Sequence, residues 1–286
     1  MIVDPSRARG LRQAFWKHTS KQAVQTQKAL TDVVARHKPN TPFSQKGFRR
    51  FASDLIQLIP ASSLVLTKLE GRRQFVACMF LDHQPDHALN EWHEHVLVGY
   101  KGIFYRDIKP SIVTRSTARI GEHAVQRLFQ RGERRLNAGG NFDLDSYAGD
   151  IKSAIAWAEM LWTVTDMLQQ IHKKKDLSVF APTASGAFVG QISSVGQCVD
   201  FRTFISLEKM FTAQRELWIA LREVQEDVGI EHIGLNLVRG IARHSPSVKT
   251  ILRLCETMDR FPETLMRTPE IPQSYESFVR TQLEGF

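Results

Sequence analysis

Five of the ten histidines lie between Asp82 and His123, and a set of arginines overlaps the end of that stretch. The histidines are His83, His87, His93, His95 and His123; the arginines are Arg115, Arg119, Arg127, Arg131, Arg134 and Arg135. Histidine titrates near ~6.5, so it can take or give a proton at neutral pH. Arginine presents a planar fork that matches the oxygens of a phosphate. Together they suit cleavage of RNA by its own 2′-hydroxyl, which needs a base, an acid and cationic clamps but no metal. In this reading His95 or His93 is one proton-transfer group and His123 the second. Arg115, Arg119, Arg127 and Arg131 bind phosphate, with Tyr105, Ser116 and Thr117 adding hydroxyl contacts. The expected chemistry is that of a metal-independent ribonuclease of the toxin or effector type, and it calls for no cofactor.

Two other readings use the same residues. His83, His87, His93 and His95, with Asp82, Asp86, Glu91 or Glu94, form a candidate ligand set for a metal-dependent hydrolase. The order His93-Glu94-His95 does not match the zinc-binding HExxH pattern, and no thiol lies nearby. The alternative is a non-catalytic nucleic-acid-binding or regulatory protein whose arginines dock on phosphate. The glycines of NAGGNF and SGAFVGQISSVG spell neither a phosphate loop nor a dinucleotide fingerprint, so they are read as turns.

Charge separates the two halves of the chain. Residues 1–140 carry 23 Lys and Arg against 11 Asp and Glu, a net of +12, whereas residues 141–286 carry 15 against 19, a net of −4. A one-sided positive field favours RNA or DNA as partner of the N-terminal half, and the acidic half is the expected face for a protein partner. Cys78, Cys198 and Cys255 are far apart in apolar segments and fit free buried thiols in a reducing compartment, so the cytoplasm is the expected location. No secretory signal opens the chain and no run reaches the roughly 20 apolar residues that span a bilayer, so no membrane partner is expected.

The elements that must position these residues follow from periodicity. Asp4-Pro5 starts a long helix reaching about His37, with Leu11, Phe15, Ala23, Leu30, Val33 and Val34 on one side and Lys, Arg, Gln and Thr on the other. A second helix runs from Ser44 to Leu58. SSLVLTKL and QFVACMFL read as a hairpin, and EWHEHVLVGY with IFYRDI as another, turning at Lys101-Gly102. Strand period puts His93 and His95 on one face. An extended KPSIVTRSTARIG leads into a short helix closed by Gly132, on which His123, Arg127 and Arg131 are spaced to form one ridge. A glycine loop at LNAGGNFDLDS precedes a long apolar helix over about 146–174, whose tryptophans are core residues. LSVFAPTASGAFVGQI and CVDFRTFIS supply further strands, and helices follow from Leu207, divided near Gly229 and Pro246. The expected fold is α+β, an antiparallel sheet built from hairpins and covered by helices, with a mostly helical C-terminal region. The organisation is read as a basic region 1–140 carrying the site and a region 141–286, in two units or one continuous domain.

Overall fold

In the computed structural model, residues 3–37, 42–59, 64–68, 74–84, 96–106, 114–132, 135–171, 173, 177–192, 198–228 and 246–261 are described. Helix α1 spans Pro5–His37, and the Asp4 carboxylate accepts the amides of Ser6 and Arg7 at its start, as an Asp cap ahead of a helical proline should. Helix α2 spans Gln45–Leu58, capped by Ser44, whose hydroxyl accepts the Gly47 amide at 3.1 Å. Strands β1 (Leu64–Lys68), β2 (Phe75–Gln84), β3 (Val96–Tyr105) and β4 (Thr114–Gly121) lead into α3 (Glu122–Arg131). Helix α4 (Leu144–Ile171), strands β5 (Val179–Thr183), β6 (Gly186–Ile192) and β7 (Val199–Ser206), a single 3-10 turn at Leu207–Lys209, and helices α5 (Thr212–Val228) and α6 (Pro246–Asp259) complete the described elements.

The fold is α+β. Seven strands form one sheet in the order β1-β2-β3-β4-β7-β6-β5. Every pairing is antiparallel except β4 with β7, which is parallel, so the sheet is mixed rather than built from hairpins alone. Through that pair the sheet draws on sequence from both sides of residue 140.

The turn expected at Lys101-Gly102 is absent, because β3 runs straight through both residues, pairing β2 on one side and β4 on the other. Gly99 of this strand serves packing rather than turning. A side chain at Gly99 would stand 2.6 Å from the Ile155 methyls, so glycine lets α4 approach the sheet. The glycine loop before α4 is ordered: Leu136 bridges Phe142, the Asn137 carbonyl side chain accepts the amides of Gly139 and Asn141, and Gly140 takes φ +75°. Such a φ strains any residue with a Cβ.

Two apolar clusters hold the layers. Ala23, Leu30 and Val33 of α1 and Phe48, Phe51 and Leu55 of α2 pack on Val76, Cys78, Phe80 and Phe104 of β2 and β3. The larger cluster joins Phe15 and Trp16 of α1, Val125, Leu128 and Phe129 of α3, and Ile151, Ile155, Trp157 and Leu161 of α4 to Ala118, Ile120, Val199 and Phe201. Trp157 is 1% exposed, as expected of a core tryptophan. Among the described residues no helix is long and apolar enough to cross a membrane. All three cysteines are buried free thiols.

Candidate functional site at one end of the sheet

Strand β4 passes directly into α3, with Gly121 as the joint. In register, Gln84 at the end of β2 pairs with Val96 at the start of β3, and Val96 pairs with Gly121. Three chain segments meet there, spread over about 10 Å at the usual strand spacing. Helix α3 buries Ala124, Val125, Leu128 and Phe129, which leaves His123, Arg127 and Arg131 on its outer side. The expected ridge is therefore present.

Within it, the Arg127 Nε donates to His123 Nε2 at 3.1 Å. This bond assigns the imidazole proton to Nδ1. Partial burial, and after it the positive charge of Arg127, lowers the His123 pKa below its ordinary value. The shift favours the neutral ring, the state a general base requires. Its Nε2 lone pair, however, is held by Arg127 until that guanidinium finds a better acceptor. Arg131 sits half-buried in the last turn, where a cation favours the negative end of the helix.

The neighbouring groups are structural. Arg12 of α1 forms an ion pair with Glu122 and donates to Gln126 at 3.1 Å, fixing α1 to the first turn of α3. His83 stacks on Trp16, with ring centroids 5.0 Å apart and planes 11° apart. Burial raises the pKa of the adjacent Asp82, against hydrogen bonds from the His83 amide and Gln84 that lower it.

Several expected site residues lie elsewhere. Arg119 is 7% exposed and is committed to Asp200, donating from Nε at 2.5 Å and from Nη2 at 2.7 Å. A fork already filled by a carboxylate across the β4 and β7 seam is a strand clamp, not a phosphate clamp. Arg135 is likewise taken, ion-paired with Asp150 at 2.9 Å and bonded to Ser146. Tyr105 pairs with Phe75 at the far end of β3, nine residues from Val96 and so about 30 Å from this end. Arg115 pairs with Lys101, six residues or about 20 Å before Gly121. The strand register thus sets Tyr105 apart from His123, and of Arg115 only the backbone is described. Ser116 lies near Cys198 at 3.8 Å, on the same seam as Arg119. His87, His93, His95 and Arg134, and the side chain of Thr117, are outside the described residues.

Of the four histidines of the metal reading, His83 is the one described, stacked on Trp16, and the other three are outside the described residues. Among the described residues no group of three or more His, Cys, Asp and Glu side chains converges to hold a metal ion. Sequence reasoning missed Arg12, although an arginine at helical spacing between Ala8 and Phe15 on the apolar side of α1 was a readable signal; the structure buries it. It also missed Asp200, for which nothing local pointed to Arg119. Comparison with known protein families, characterised proteins and solved structures finds no match.

Proposed function

We propose that the protein is a metal-independent ribonuclease whose reaction centre is the exposed start of α3. The observation that carries this reading is the Arg127 and His123 contact at the sheet end where β2, β3 and β4 meet. A phosphate is a stronger acceptor for a guanidinium than a neutral imidazole. Substrate phosphate therefore draws Arg127 away and releases His123 Nε2 at the moment a base is needed. His123 then takes the proton of the 2′-hydroxyl, O2′ attacks phosphorus, and the bond from phosphorus to O5′ breaks. The leaving O5′ takes a proton from a second acid, giving a 2′,3′-cyclic phosphate and a free 5′-hydroxyl. His95, or His93, is assigned to that acid, because the segment carrying them enters β3 at Val96, beside Gly121.

The test is incubation with RNA and with DNA of the same sequence, with and without chelator. Cleavage confined to RNA and indifferent to chelator is expected, with His123→Ala slowing it about 10²–10⁴-fold. Cleavage untouched by both His123→Ala and His95→Ala would refute the site, and chelator-sensitive cleavage would move the choice to the metal hydrolase. The hydrogen bond that occupies Nε2 also supports a second reading, a non-catalytic regulatory protein in which Arg127 holds phosphate and His123 only orients it. RNA binding without turnover would select it.

A further inference from the structure

Helix α1 is 33 residues long, about 50 Å at 1.5 Å per residue. Its inner stripe is Ala8, Arg12, Phe15, Thr19, Ala23, Thr26, Leu30 and Val33, all buried. At 3.6 residues per turn, Lys17, Lys21 and Lys28 fall opposite the centre of that stripe, and all three are exposed. They form a straight ridge about 16 Å long. Their exposed neighbours Gln13, Ala14, Val24, Gln25 and Thr31 are small or neutral, and the only carboxylate of the helix is Asp32. Lys17 and Lys21 are like charges four apart, which weakens a helix by a few tenths of a kcal/mol. The fold gains nothing from them.

Helix α2 extends the same surface. It buries Phe48, Phe51 and Leu55 in the cluster that receives Ala23, Leu30 and Val33 of α1, so the outer sides of the two helices face away from the sheet together. His37 and Asp54 tie the helices at 2.9 Å, which occupies the one carboxylate of α2. Lys46, Arg49 and Arg50 are exposed on it. Together the two helices hold ten Lys and Arg against two Asp, a net of +8, equal to that of the whole chain. Two other cations of α1 are used by the fold: the buried Arg12 on Glu122, and the exposed Arg7 over the Phe142 ring at 5.1 Å. Among the described residues Lys17, Lys21, Lys28, Arg36, Arg49 and Arg50 make no ion pair.

We infer that the outer side of α1 and α2 docks the phosphodiester backbone of a nucleic acid, independently of its sequence. Charge complementarity selects this occupant, and the chemistry of the ridge excludes the others. A membrane needs a continuous apolar face, and the exposed large hydrophobic residues of the two helices are only Val24 on α1 and Ile56 and Leu58 on α2, of which the last two, two positions apart, fall on different sides of their helix. Protein interfaces favour aromatics and are poor in lysine, whereas the centre of this surface is lysine with no aromatic among its exposed residues. Flexible lysines without planar readers bind phosphate and read no bases. The surface lies outside the start of α3 and stands on its own residues, so it holds whether or not the protein cleaves RNA.

The test uses the full chain carrying His123→Ala, to slow any cleavage of the probe, and a labelled 20-nucleotide RNA followed by fluorescence anisotropy, with the RNA checked for integrity on a gel after each measurement. Lys17→Gln with Lys21→Gln and Lys28→Gln is expected to weaken binding about tenfold or more at low salt. The same triple variant is expected to lower the slope of log affinity against log salt by about 2. DNA of the same length binds within a few-fold, and a control with Lys173→Gln, Lys209→Gln and Arg260→Gln binds like the parent. Thermal melting confirms that the triple variant is folded. Unchanged affinity and slope in the triple variant would overturn the inference. So would equal weakening in the control, or loss of binding to phosphatidylserine vesicles with RNA binding intact.

Discussion

Arg119 and Arg127 stand eight residues apart, on either side of the joint between β4 and α3, and they do opposite things. Arg119 is buried in the sheet and answered atom for atom by Asp200. Arg127 lies at the surface and leans on a neutral imidazole. A buried guanidinium must be paired or the structure pays several kcal/mol, whereas one at the surface can exchange its acceptor with little penalty. The partner that a cation already holds, more than its residue type, separates scaffold from candidate site.

The comparison is tested most severely by Asp200→Asn, which leaves Arg119 buried with a neutral partner. The expected cost is about 3–5 kcal/mol, a drop in Tm of at least ~6 °C, read by calorimetry. Replacing both residues by Leu and Met of similar bulk restores most of it. If the single variant melted like the parent, Arg119 would belong with Arg127.

Lys152 sharpens the contrast, being a cation at 9% exposure in α4 whose strongest influence is burial. That burial brings its pKa down to about 8, against Asp145 and Cys78, which raise it. Its charged form is the disfavoured one in the folded protein, so below about pH 8 the charge is carried at a cost. Lys152→Met is expected to stabilise at pH 7 by about 1–2 kcal/mol. The native chain gains on the variant as pH rises from about 8 toward the ordinary lysine value of 10.5, because the unfolded state then binds the extra proton. Parallel melts of both proteins across that range measure it, and a gap that stays constant with pH counts against the assignment.

Arg12→Met lies between the two classes, since its partner Glu122 keeps some access to water, with a side chain 24% exposed. A loss of about 1 kcal/mol is expected by denaturant melt. Arg127→Gln should be smallest in stability, within about 0.5 kcal/mol. It nonetheless removes the charge that helps depress His123, so the His123 titration followed by NMR moves up toward 6.5 while burial keeps it below. An unmoved titration would mean that the two side chains do not interact in solution.

Local signals carried much of this architecture. The cap at Asp4, the amphipathic period of α1 and α2, the hairpin of β1 with β2 and the ridge on α3 all rest on neighbours within a few residues. The reading failed where a residue's meaning depends on something distant. Lys101-Gly102 looks like a turn in isolation and is strand interior because β2 and β4 flank it. Arg119 looked like Arg127 because Asp200, its partner, is 81 positions away. Tyr105 joined the candidate site by nearness in sequence, and a strand running the length of the sheet carries it to the opposite end. The segment length of a strand, unlike that of a loop, converts sequence proximity directly into distance.

The parallel seam between β4 and β7 also has a consequence in time. At a synthesis rate of roughly 5–20 residues per second, the 81 positions between Arg119 and Asp200 separate the two strands by about 4–16 s on the ribosome. Throughout that interval the β7 side of β4 is unpaired and the Asp200 carboxylate has not yet been made. The first half of the sheet waits as an open edge, the kind of surface on which nascent chains aggregate or recruit chaperones. Closing the seam is a long-range step whose loop entropy must be met before its contacts form, so the pairing of β4 with β7 is expected to be slower than the local hairpins.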